Sequence, residues 1–273
     1  MRLVPETRDP AAGRPDLLGA ALLCGALVAI AYPLLEGRSL GWPVWAWIVL
    51  VGGLLLLIAL GISEERRQHT RTAPLLMTRL FRIPAFGAGL IVQFAFAAGL
   101  QGFFLIFALW LQAGMRFSPL GAGLTTIAFS VGSFLLAPAA VPLAQRFGRL
   151  VLAGGGVLLA VGVVGVLLGA DHIGTGSDPW SIVPGLVVAG AGLSLLVIPL
   201  VNVVLAAVPV ETAGGASGQF STAQQLGGAV GVSVFGLLFF AVLGATAFEP
   251  ALTITCGAIA IVNLLSAMLV RRL

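Results

Sequence analysis

Leu150-Val-Leu-Ala-Gly-Gly-Gly-Val-Leu-Leu-Ala-Val-Gly-Val-Val-Gly-Val-Leu-Leu-Gly-Ala170 runs from Arg149 to Asp171 without one charged or hydrogen-bonding side chain. Coiled as a helix at about 1.5 Å per residue it reaches about 30 Å, the thickness of a bilayer's hydrocarbon core. The rest of the chain has the same character. Of 273 residues, 59% are hydrophobic and 9% charged, and the mean hydropathy is +1.10. A soluble domain carries about 25% charged residues, so this chain has too little polar surface to face water. It reads as an all-α, polytopic membrane protein, and its composition excludes a disordered or nucleic-acid-binding one.

Charges and turns mark out about eight transmembrane helices. The first spans are Leu17–Leu35, Pro43–Ile62 with Trp42, Trp45 and Trp47 at its start, and Ala85–Leu111. Phe117–Gln145 follows behind a Ser118-Pro119 start, then Leu150–Ala170. The last three are Pro179 to about Val208, interrupted by Pro184 and Pro199, then Phe220 to about Ala245, and Ala251–Val270. Ser63–Arg82 is read as a polar stretch outside the hydrocarbon and Asp171–Asp178 as a polar loop.

All 14 basic residues are arginine and the net charge is +4. With a cytoplasmic N-terminus, only Arg38 and Arg116 of the 14 face outward. The positive-inside rule therefore favours this orientation, with both termini cytoplasmic in the cell membrane. Arginine-only usage with abundant Ala and Gly hints at a GC-rich bacterial genome. The N-terminus shows no signal peptide, so insertion would rely on the spans themselves. Cys24 and Cys256 lie in apolar runs and read as small buried side chains, not a disulfide.

No charged residue lies deep in a span, so the chain has no intramembrane carboxylate to carry a coupling proton. Polar side chains are few. Gln93 and Gln101 sit about 80° apart on the third span, with Ala97, Phe104 and Ala108 on the same face. That face either hydrogen-bonds to a neighbouring helix or lines a cavity for an amphipathic organic compound. In the seventh region, Ser217, Ser221, Gln224, Gly228 and Gly231 fall within about 80°, and Gly227 with Gly231 makes a small-xxx-small step. Close helix packing is its first meaning, with Gln224 and Gln225 as cavity-lining candidates. Gly165 and Gly169 in the fifth span make a similar packing step. Asn202, just after Pro199, either satisfies groups freed by the proline or faces substrate. Asn263 reads as structural.

Enzyme signatures are not read from the sequence. His69 and His172 fall in loops on opposite sides, which gives neither a metal pair nor a Ser-His dyad. A phosphate-binding loop needs a lysine, and the chain has none. No cofactor or metal is expected.

Several stretches resemble the fourteen-spanner drug:proton antiporter branch of the major facilitator superfamily. Arg2-Leu-Val-Pro-Glu-Thr-Arg-Asp-Pro10 with Asp16-Leu-Leu-Gly19 is similar to that family's link into its seventh helix. Glu36-Gly-Arg-Ser-Leu-Gly-Trp42 resembles the turn between its two extra helices, and Pro74-Leu-Leu with Arg79-Leu-Phe-Arg82 its linker into the C-terminal half. Leu143-Ala-Gln-Arg-Phe-Gly-Arg149 resembles a cytoplasmic loop motif, carried here by Arg146, Gly148 and Arg149; Gln145 stands where that motif commonly has Asp. Gly214 to Gly231 matches the family most specifically.

The resemblance implies a division into a cytoplasmic linker at 1–16, an accessory hairpin at 17–62, a second linker at 63–82 and a six-helix transporter half at 83–273. It also implies two inverted three-helix repeats in that half, and an alternating-access mechanism that needs a second half. The expectation is therefore the C-terminal part of a multidrug efflux transporter, exporting amphipathic organic compounds by proton antiport when an N-terminal six-helix half completes it. That half could be lost to truncation or a misplaced start, or be encoded separately. The alternative is a non-transporting membrane protein that associates through its small-residue faces.

Overall fold

The computed structural model describes residues 17–37, 40–67, 80–81, 83–173, 179–245 and 247–270. Arg38, His69, Arg271 and Arg272, the linker at 1–16 and most of that at 63–82 lie outside the described residues. The chain forms two compact units, 1–79 and 80–273.

In the first unit, α1 (Leu17–Glu36) pairs with α2 (Val44–Arg67). Their turn brings Gly41 and Trp42 into positive φ, and the Trp42 and Trp47 rings meet at 5.1 Å. The α2 helix continues five residues past the expected span end at Ile62, to Arg67. Cys24 is exposed, against the expectation of burial, while Cys256 is buried; neither forms a disulfide.

The second unit contains α3 (Pro84–Leu109), α4 (Pro119–Phe147), α5 (Arg149–Ile173), α6 (Val183–Ala206), α7 (Ala213–Ala245) and α8 (Phe248–Leu269). Seven helices of the chain are long and apolar enough to cross a membrane among the described residues; α1 contributes the shorter described stretch Ala21–Pro33. Each start has a local cause. Pro84 and Pro119 occupy first-turn positions where the missing N–H costs nothing, and the Ser118 side chain accepts from the Gly121 N–H at 3.1 Å.

In the second unit the boundaries differ from expectation most at α5, α6 and α7. The α5 helix runs to Ile173, so Asp171 and His172 lie in its last turn and not in a loop. Pro184 lies in the first turn of α6 and interrupts nothing, and Pro199 sits inside a helix that continues to Ala206. The α7 helix begins at Ala213, seven residues before the expected Phe220. Ala216 and Gln219 in this first part of α7 are buried against the bundle, and a helix satisfies the backbone groups there internally.

The packing exchanges helices between the two triplets, α3–α5 and α6–α8. The α6 helix packs between α4 and α5, and α3 packs between α7 and α8. The first helix of each triplet thus joins the other triplet's layer, and α5–α8 and α3–α6 contacts hold the layers together. Glycine makes both exchanges possible. A Cβ at Gly132 of α4 would overlap the Val187 carbonyl of α6, and one at Gly190 of α6 the Phe129 carbonyl of α4. Aromatic groups fill the interior: Phe103 and Phe107 stack at 5.4 Å, and Phe104 of α3 meets Phe129 of α4 edge-on at 5.0 Å.

Candidate functional site

Hydroxyl groups within the spans mostly satisfy themselves. Thr125, Thr126, Ser217, Thr222, Ser233 and Ser266 each donate to a backbone carbonyl three or four residues earlier, at 2.8–3.0 Å. A short side chain can reach back along its own helix in this way, which makes it tolerable in lipid. An amide is longer and carries both donors and an acceptor, so it needs a partner elsewhere.

Among the described residues four buried side chains have no such partner: Gln93 on α3, Gln219 on α7, and Thr255 and Asn263 on α8. Gln93 is completely buried. It lies one turn beyond Gly89, where a Cβ would overlap Val204 of α6, so it looks toward that helix. Asn263 abuts Gly99 of α3, where a Cβ would come within 2.8 Å of its Oδ1. Contacts of Gly227 with Phe94 and of Gly99 with Asn263 set the helix registers. On that scale the four groups spread over about 30 Å of depth, at intervals of about 10 Å. They are four separate polar points inside the bundle and not one pocket.

The exposed polar groups are arranged differently. Gln101 is exposed on α3, and its Cγ lies against Gly228 of α7, where a Cβ would come within 3.0 Å of it. Gln224, Ser221 and Ser217 continue from Gly228 toward the cytoplasmic end of α7 and are all exposed; Gln225 beside them is exposed too. The structure therefore brings Gln101 and Gln224 onto one polar surface where α3 meets α7. Phe104 is half-buried on the Phe129 ring. Asn202 is exposed on α6, about 200° around the helix from Val204, and faces away from α3.

Below that surface the glycines meet backbone. A Cβ at Gly227 or Gly231 would overlap the carbonyl of Phe94 or Ala98 on α3. On α5, Gly165 faces Gly185 of α6, and a Cβ at Gly169 would overlap the Ser181 carbonyl. At the cytoplasmic loop, Arg146 is exposed in the last turn of α4 with its guanidinium 5.4 Å from the Phe147 ring centre. Gly148 takes φ +57° and ψ −133° and donates to the Ala144 carbonyl at 2.8 Å. That conformation belongs to glycine, and it lets Arg149 start α5 at once. Among the described residues no group of three His, Cys, Asp or Glu could hold a metal ion.

Sequence reasoning did not single out Gln219 or Thr255, and took Asn263 as structural. Burial was the missing signal. Gln219 is about 140° around α7 from Gln224, enough to carry one to the interior and the other to the surface.

Six long apolar helices in two triplets with exchanged first members define a polytopic membrane protein of the transporter type. Residues 10–232 match the profile of the Major Facilitator Superfamily, and the chain belongs to that superfamily. It is 39% identical over 248 residues to a probable actinorhodin transporter of Streptomyces coelicolor, covering 90% of this chain and 43% of that protein. It is 30% identical over 251 residues to the multidrug efflux pump LfrA of Mycolicibacterium smegmatis, covering 92% and 48%. It is 29% identical over 248 residues to the multidrug resistance protein Stp of Mycobacterium tuberculosis, covering 90% and 44%. The chain spans a little under half the length of these relatives.

Proposed function

We propose that this chain is the C-terminal part of a multidrug efflux transporter, exporting amphipathic organic compounds by proton antiport when an N-terminal six-helix half completes it. One observation carries the reading: the exposed amides of Gln101 and Gln224 on the surface where α3 meets α7. Lipid tails offer such groups no hydrogen bond, so they belong against water, substrate or a second protein layer. The nearby aromatic Phe104 suits a bulky apolar compound whose polar atoms meet the amides. Candidate cavity residues are Gln101, Phe104, Gln224 and Gln225. Gln93 and Asn202 join them only if the bundle rearranges, because one is buried and the other faces away from α3.

The resemblance to export and resistance proteins supports drug efflux, and proton coupling would require carboxylates on the second half. The test is accumulation of a cationic fluorescent dye in bacteria without their own efflux pumps. The chain would be expressed alone and together with the N-terminal six helices of the actinorhodin-transporter relative. Efflux that needs both pieces and collapses with the proton gradient is the expected result. Robust gradient-dependent efflux by the chain alone would overturn it, as would none with both pieces inserted.

A further inference from the structure

A groove of about 820 Å³ opens between α4 and α6 at the end of the bundle opposite Arg146 and Arg149. Its mouth is polar: Arg116 and Ser118 from the α3–α4 turn, and Trp180 just before α6, which is 73% exposed. Below the mouth it is lined by Leu124, Ile127 and Val131 of α4 and Val183 and Val187 of α6. The one hydroxyl on that wall, Thr125, donates to the Gly121 carbonyl at 2.9 Å and offers an occupant no free hydrogen. Among the described residues no acidic side chain lines the groove.

From Ser118 to Val131 the groove descends about 20 Å, somewhat more than one leaflet's share of the hydrocarbon core. A cation and an interfacial tryptophan above a dry apolar channel one leaflet long match the two ends of a phospholipid. A polar drug would leave its hydrogen-bonding groups unpaired against this wall. A zwitterionic lipid would leave Arg116 without a net opposite charge.

We propose that this groove is a binding site for an anionic phospholipid of the outer leaflet, its headgroup on Arg116 and one acyl chain between α4 and α6. The site lies apart from the Gln101–Gln224 surface and does not depend on the transport reading.

The full chain would be reconstituted in phosphatidylcholine vesicles containing a minor share of phosphatidylglycerol brominated near the carbonyl end of its chains. Matched vesicles would carry brominated phosphatidylcholine instead. The Trp180 signal is the difference between the wild-type chain and Trp180→Phe. Expected is quenching by brominated phosphatidylglycerol at about fivefold lower lipid fraction than by brominated phosphatidylcholine, the preference that one arginine contributes near an anionic surface. Arg116→Asn should abolish that preference and Arg116→Lys retain it. Asn tolerates the positive φ of this position, and the side chain is exposed, so the fold survives the change. Equal quenching by the two lipids overturns the proposal, as does a preference that survives Arg116→Asn. Quenching by neither lipid would mean that protein covers the groove, which also overturns it.

Discussion

Gly231 of α7 lies so close to Ala98 of α3 that a single methyl group added to it would overlap the Ala98 carbonyl. Gly227, one turn earlier, stands in the same relation to Phe94. Helices in lipid gain nothing from hiding apolar surface, so association depends on how closely backbones approach. This seam, with its counterpart between α4 and α6, carries the exchange of helices between triplets.

Gly231→Leu should therefore destabilise the bundle by about 1–3 kcal/mol through overpacking against a backbone that cannot yield. Gly244→Ala on the same helix, where an added Cβ meets nothing within 4 Å, should leave stability unchanged or slightly raised. Thermal unfolding of the two variants in one detergent decides the matter. Equal melting temperatures would show that the α3–α7 seam is not under constraint.

Gln93 is buried with neither end of its amide paired. Replacing it by Met, similar in length and without hydrogen-bonding groups to desolvate, should keep or raise stability, by up to about 3 kcal/mol. A clear loss in the same unfolding measurement would mean that an internal water or another group holds the amide.

The polar surface predicts water where the rest of the exposed bundle meets lipid. In a chain with Cys24 and Cys256 replaced by Ala, Gln101→Cys and Gln224→Cys should react with a membrane-impermeant maleimide from the cytoplasmic side. Phe134→Cys, at a position 79% exposed on α4, should react at least about tenfold more slowly, because a thiol in hydrocarbon stays protonated. Comparable rates at the three positions would remove the observation on which the transport reading rests.

Gly148→Ala should cost about 1–3 kcal/mol, since the backbone angles between α4 and α5 belong to glycine. Gly154→Ala, six residues on and with open space around it, should cost nothing. The comparison in unfolding separates backbone strain from a general intolerance of larger side chains at the start of α5.

Span positions were legible because charge is so costly in hydrocarbon that Arg146, Arg149 and Glu249 could only stand at helix ends. Helix ends without charges were less legible. The start of α7 carries no charge to mark it, so the span was expected from Phe220 while the helix begins at Ala213. The cysteines fail for a related reason. Cys24 and Cys256 lie in equally apolar runs, yet one is exposed and the other buried.

The sequence by itself determined that the chain lives in a membrane, roughly where its helices run and, through its arginines, which way they face. Those properties follow from single residues meeting water or hydrocarbon. Tertiary structure alone decided that Gln93 goes inside while Gln101, about 80° around the same helix, stays on the surface against Gly228. A soluble helix announces its buried face by contrast with a polar one. In lipid both faces are apolar, and only the shapes of neighbouring helices distinguish the core from the exterior.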